Sequence, residues 1–214
     1  TCANVSEVRA KLGEVVVWPF VLGPMGMAPP CHFVFHDASG GCIAVEWDAG
    51  EMKLYDNPFG VFTNSPEFTW HTTNLRNYTH LSPDNPEVLT VAGQKLAPFG
   101  VGQGMQGLPG DNSSPSRFVR AATYVATAPE QADAAAAQHE VFHMMNNFDI
   151  PDGFSASGEG AGVDDVTYWT SISNLADLTY NVRTVKDSTY RQVTLSDLDF
   201  TATAAKSVDL PSDP

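Results

Sequence analysis

Between Cys31 and Asn57 the sequence holds three strand-like runs with almost no chain between them: CHFVFHDA, CIAVEWDA and EMKLYDN, separated by Ser39-Gly40-Gly41 and Ala49-Gly50. Strand-like runs joined by such short glycine turns read as a hairpin and its continuation, because only antiparallel neighbours can be joined this tightly. GVFTNS follows after Asp56-Asn57-Pro58. The reading is therefore four short strands in a meander, the fourth ending on Thr63-Asn64.

The flanking segments carry a different period. NVSEVRAKLGEVV (4–16) places Val5, Val8 and Leu12 at helical spacing, with Asn4 or Ser6 as cap. VLGPMGMAPP (21–30) is an apolar loop. Residues 66–78 read as a helix, with Ser65 as its cap, Pro66 in its first position and Glu67 in its first turn. Residues 79–112 are punctuated by Gly and Pro and have no clear period, and loops this long usually serve function or assembly. PSRFVRAATYVATA and PEQADAAAAQHEVFHMMNNF read as helices, and TYWTSISN, TYNVRTVKD and YRQVTLSDLD as strands. The order helix, strands, helices, strands favours an α+β fold of layered sheets and helices.

Composition narrows the partners. Of 214 residues, 43% are hydrophobic, enough for a sizeable core, and 25 acidic against 11 basic residues give a net charge of −14. That sign repels phosphate backbones and anionic lipid surfaces, which argues against nucleic acid or membrane partners. No apolar run is long enough to span a membrane, and no targeting segment is visible, so the compartment stays open. The chain starts at Thr1 and not at Met, which reads as processing, trimming or excision from something longer. Three cysteines, Cys2, Cys31 and Cys42, do not make a disulfide framework.

Four motifs carry chemistry. HEVFH (139–143) matches the zinc-hydrolase pattern, in which His139 and His143 would bind metal and Glu140 would act as base. A third ligand is lacking: Asn146 and Asp149 stand where the extended pattern has Gly and His, and Glu159 lies in a Ser/Gly/Ala loop. GVGQGMQGLPG (100–110) lacks the G-K-[ST] of a nucleotide loop and reads as backbone that needs unusual dihedral angles. Asn64, at the end of its strand, reads either as a turn asparagine or as a pair of amide donors at the lip of the sheet. In LPGDNSSPSRFVRA, Ser114 and Pro115 read as a helix start, which puts Arg117 in the first turn. A cation there opposes the helix dipole. It reads either as a partner of Asp111 or another carboxylate, or as a functional group.

Taken together, GVFTNSPEFTWHTTNLRNY and GLPGDNSSPSRFVRA, in this order, resemble the choloylglycine hydrolase family, which includes bile salt hydrolases and penicillin V acylases. The hairpin CHFVFHDASGGCIAVEW, the helix ending VFHMMNNFDIPDG and the strand YWTSISN resemble the family as well, so the likeness extends across essentially the whole chain.

The resemblance implies an αββα sandwich of the N-terminal nucleophile hydrolase type, incomplete in this chain. It implies hydrolysis of a linear amide, such as a conjugated bile salt or penicillin V, by an N-terminal cysteine, with no cofactor. Asn64 matches the asparagine that helps form the oxyanion hole, and Arg117 the arginine near the nucleophilic sulfur. Met25 and Met27 fall where the family lines its acyl pocket. Residues 79–107 match a region used for assembly, which implies a homotetramer. Cys2 follows Thr1 and precedes a helix that matches an internal family helix, so neither residue is expected to be the nucleophile. On this reading residues 1–214 are one domain, the C-terminal portion of the enzyme, whose nucleophile segment lies in a missing N-terminal portion. The chain alone is then expected to be inactive, and the rival readings are the zinc hydrolase above and a non-catalytic binding or assembly fragment.

Overall fold

The computed structural model describes residues 2–18, 20–23, 26–28, 31–155, 165–205 and 207. Thr1, Met25 and Glu159, singled out above, lie outside the described residues. The chain divides into two compact units, Thr1–Thr127 and Ala128–Pro214.

In the first unit, helix α1 (Val5–Leu12) is capped by Asn4, whose side chain accepts the Glu7 N–H at 2.9 Å. Strands β1 (Phe33–His36), β2 (Cys42–Asp48) and β3 (Glu51–Asp56) form an antiparallel sheet in that order. Register pairs Val34 with Ala44 and Ala44 with Tyr55. Then come α2 (Phe68–Asn74), which runs into a 3-10 turn over Leu75–Tyr78, and a small hairpin, β4 (Leu89–Val91) and β5 (Gln94–Leu96). Helix α3 (Ser114–Thr127) closes the unit.

The core lies between β2 and the two helices α2 and α3. Ala44, Val61, Phe68, Phe118 and Ala122 are buried together, with Tyr55, Phe62 and Leu75 against them. Phe68 and Phe118 meet edge to face at 6.1 Å, which ties α2 to α3. Residues two apart on a strand share a face, so the face that presents Ala44 to this core also presents Glu46. Glu46 is only 7% exposed.

Two expectations need correction here. Among the described residues the sheet has three strands: residues 60–65 form no ladder. The physical reason is that side chains take their acceptors. The Asn57 amide donates to the Val61 carbonyl at 2.9 Å, and the His71 ring to that of Asn64 at 2.9 Å. Helix α2 also starts later than Ser65-Pro66 suggested. The Ser65–Pro66 peptide is cis, and Glu67 holds the cap position without a side-chain cap. The orphan Phe68 N–H donates instead to both Glu46 carboxyl oxygens, at 3.1 and 3.0 Å. The cap comes from β2 rather than from the local sequence.

Within the glycine-rich run, Gly102 (φ 87°) and Gly107 (φ 93°) occupy the left-handed region. At Gly104 a Cβ would sit 2.0 Å from the Asp84 carbonyl oxygen, so this close approach requires glycine.

The second unit places α4 (Ala134–Asn146) against an antiparallel sheet of β6 (Trp169–Asn174), β7 (Thr179–Thr184) and β8 (Arg191–Thr194). Asp133 caps α4 by accepting the Ala136 N–H at 2.8 Å, which starts the helix later than composition suggested. Arg183 on β7 donates to both Asp149 carboxyl oxygens, at 2.7 and 2.6 Å, and stacks over Tyr190, which lies flat on Phe142.

Candidate active site

Asn64 and Arg117 are 53 positions apart, and the fold brings them into direct contact: Arg117 Nη2 donates to Asn64 Oδ1 at 2.7 Å. Each arrives by its own local logic. Asn64 sits in the irregular segment between the sheet and α2. Arg117 lies in the first turn of α3, where its N–H donates to the Ser113 carbonyl at 2.9 Å. The guanidinium folds back over the helix start, and Nε donates to the Asn112 carbonyl at 3.0 Å. Oxygens of Asn112, Ser114 and Asn64 therefore face it.

The Asp111 alternative raised by the sequence looks different in the structure. Its Oδ1 accepts the Ser113 N–H at 2.9 Å and its Oδ2 the Ser116 hydroxyl at 2.6 Å. Hydrogen bonds from Ser113 and Ser116 hold this carboxyl down to about 2. Asp111 thus organises the start of α3. The preceding Leu-Pro-Gly-Asp turn is pinned by the buried Arg120, whose Nη1 donates to the carbonyls of Pro109 at 2.9 Å and Asp111 at 2.5 Å.

Contact with Arg117 fixes the sense of the Asn64 amide. A guanidinium only donates, so the atom it meets is the oxygen. The Nδ2 amino group is then the end left over, and it has no hydrogen-bond partner among the described residues. Asn64 is exposed, so this donor is available to a ligand.

A cleft of about 880 Å³ opens beside this segment. Ser65, Pro66 and Glu67 line one side, Trp47 and Tyr55 the sheet side, and Trp18, Phe20 and Leu22 the stretch that leads into the apolar loop. Met27 is 51% exposed, and its backbone bridges to Leu22.

Sequence reasoning missed two residues that shape the site, Glu46 and His71. The signal for His71 was present: Phe68, His71 and Leu75 fall at i, i+3 and i+7 on one helix face, which is the face that turns inward. The zinc reading gains no support. His139 and His143 are both exposed on α4, and among the described residues no cluster of three His, Cys, Asp or Glu could hold a metal ion.

Comparison with known proteins identifies the family. The family model for linear amide C–N hydrolases, choloylglycine hydrolase family, matches residues 1–209. A conjugated bile acid hydrolase of Lactobacillus acidophilus is 33% identical over 83% of this chain and 55% of its own length. A bile salt hydrolase/transferase of Bifidobacterium longum is 36% identical over 96% of this chain and 63% of its own length. Among solved structures, a mutant conjugated bile acid hydrolase from Clostridium perfringens superposes with a TM-score of 0.86 at 26% identity, covering 98% of this chain and 63% of that one. Penicillin V acylase from Agrobacterium tumefaciens gives 0.67 at 21% identity, over 92% and 53%. The fold class is thus α+β of the N-terminal nucleophile hydrolase type. The chain spans between 55% and 63% of the length of these two curated relatives. With a family match over nearly its whole length and these relatives beside it, the chain belongs to the choloylglycine hydrolase family of linear amide C–N hydrolases.

Proposed function

We propose that the protein carrying this chain hydrolyses a linear amide, of the kind found in conjugated bile salts and penicillin V, through a cysteine thioester. A cysteine thiolate attacks the amide carbonyl carbon. The carbonyl oxygen becomes an oxyanion, and Asn64 Nδ2–H donates to it. The tetrahedral species collapses, the amine leaves with a proton, and water hydrolyses the thioester to release the acid and the thiol. Arg117 has two roles: it holds Asn64 Oδ1, and its positive charge lowers the thiol pKa. Apolar walls such as Trp18, Phe20 and Tyr55 suit the acyl part of such a substrate.

The observation that carries this reading is the 2.7 Å hydrogen bond from Arg117 to Asn64. It turns an ambiguous asparagine into an oriented donor, and one such donor contributes about 3–4 kcal/mol to the barrier.

The nucleophile is proposed to lie outside this chain, in an N-terminal portion that completes the αββα sandwich. Burial pushes the Cys42 thiol up to about 11, which leaves little thiolate at neutral pH. The Thr63 hydroxyl, one residue before Asn64, is buried with no hydrogen-bond partner among the described residues. That supports a site completed by further groups. Residues 79–107 are proposed as a subunit contact of a homotetramer: the β4–β5 hairpin leaves Leu89, Val91 and Leu96 half exposed.

The test is to assay the intact protein for amine release from conjugated bile salts and penicillin V, then alkylate it and map the labelled cysteine. Turnover that disappears with a label outside Cys2, Cys31 and Cys42 is expected. No turnover on either class, or inactivation that follows labelling of one of those three, would overturn the reading.

A further inference from the structure

His71 is 2% exposed and sits within an aromatic cluster. Its ring stacks on Phe118 at 4.8 Å and 13°, and it meets Trp70 edge-on at 5.5 Å. Among the described residues, the ring's one polar contact is Nε2 to the Asn64 carbonyl oxygen at 2.9 Å. A carbonyl can only accept, so Nε2 carries a hydrogen and donates it. Nδ1 is buried and has no partner among the described residues. A methionine or leucine would fill this volume without a polar atom to bury. The imidazole therefore needs a reason beyond packing.

That reason lies in how Asn64 is held. The segment around it has no ladder hydrogen bonds, so nothing repetitive fixes its backbone. Among the described residues Asn64 is anchored at two points: its side-chain oxygen by Arg117 from α3, and its backbone oxygen by His71 from α2. Both helices share the Phe68–Phe118 contact. The side-chain anchor sets which end of the amide faces out. The backbone anchor sets the peptide plane, and with it the direction of the Cα–Cβ bond. One anchor without the other leaves the amide free to swing.

We propose that His71 is a positioning residue for Asn64: its Nε2–H clamps the Asn64 carbonyl and thereby aims the free Nδ2 amino group. This rests on Asn64 acting as the amide donor argued above. The imidazole touches no reacting atom. It acts only through the asparagine.

The test uses the intact protein and two substitutions. His71→Gln retains an N–H able to reach the carbonyl, and His71→Met fills the volume with no donor. The readouts are kcat and KM on an amide substrate, normalised to titrated nucleophile, thermal midpoint, and the NMR signals of the Asn64 side-chain amide. For His71→Met, kcat falls by about ten- to a hundredfold, as a modest misplacement of a reacting partner does, while KM changes little. The two Asn64 Nδ2 proton signals broaden. His71→Gln restores most of kcat and keeps the signals sharp. Equal kcat losses in both variants, at equal nucleophile titre, would show a structural role only and overturn the proposal, as would an unchanged kcat in His71→Met. If no variant, wild type included, turns over an amide, the amidase reading fails and the NMR arm still decides. Sharp Asn64 signals in both variants then overturn the clamp, and broadening confined to His71→Met upholds it. Should His71→Met not fold, nitrogen correlations of the wild-type ring decide: hydrogen on Nε2 supports the clamp, and hydrogen on Nδ1 alone overturns it.

Discussion

Replacing Glu46 tests how the segment bearing Asn64 is held, and its magnitude follows from the geometry. The carboxyl is 7% exposed and receives the Phe68 N–H on both oxygens. Phe68 is itself only 4% exposed, so water is a poor substitute acceptor. A hydrogen bond to a charged acceptor contributes about 1.5–3 kcal/mol, and a buried donor left without one costs about 1–3 kcal/mol. These overlap, so Glu46→Leu should cost roughly 3 kcal/mol at the start of α2. Glu46→Gln keeps an acceptor and loses the favourable charge at the helix N-terminus, which is worth about 1 kcal/mol. Amide hydrogen exchange at Phe68 in the intact protein reads this directly. Exchange should quicken by about a hundredfold in Glu46→Leu and by about fivefold in Glu46→Gln, since 1.4 kcal/mol is a factor of ten. Unchanged exchange in Glu46→Leu, or equal acceleration in the two variants, would refute the account of Glu46 as the acceptor that caps α2.

If Arg117 lowers the nucleophile's pKa as proposed, Arg117→Ala should move the pH–rate profile of the intact protein to higher pH, and Arg117→Lys should recover only part of the shift. A profile that keeps its midpoint in Arg117→Ala would remove that role. Cys42 should resist alkylation at neutral pH, with its rate rising toward pH 11 rather than 9.0, as its raised value requires. Because the folded thiol keeps its proton to higher pH than the unfolded one, its contribution to stability is complete below pH 9.0 and declines as pH rises toward 11. A thermal midpoint that holds flat over that range in wild type, and matches Cys42→Ala, would count against it. Sedimentation of the intact protein should report a homotetramer, and a charge placed at Leu89 or Val91 should dissociate it. A monomeric wild type would end that proposal.

The three paired strands were legible because glycine turns separate them: Ala49-Gly50 is the whole connection between β2 and β3, and the one between β1 and β2 contains Ser39-Gly40-Gly41. Legibility failed where partners are distant in sequence. Ser65-Pro66-Glu67 carries every local mark of a helix start, yet α2 begins at Phe68 because its acceptor, Glu46, lies 22 positions earlier on β2. Residues 60–65 have strand composition. They form none because Asn57 and His71 reach their carbonyls with side chains. Periodicity never joined Asn64 to Arg117. The likeness of two whole segments to one family did, and α2 and α3 supply the physical link through Phe68 and Phe118. His71 stood in plain view on the inward face of a helix, but nothing local says that a buried imidazole faces a backbone carbonyl seven positions back.

The central claim is that Asn64, oriented by Arg117, stabilises the oxyanion of an amide hydrolysis. Steady-state kinetics of Asn64→Ala in the intact protein, against wild type on the same conjugated bile salt or penicillin V, test it most directly. Loss of one oxyanion donor should lower kcat by about a hundred- to a thousandfold. KM should stay within a few-fold, because the donor acts on the transition state rather than on the bound amide. An Asn64→Ala enzyme with wild-type kcat, or one whose whole defect is a raised KM, would contradict the account.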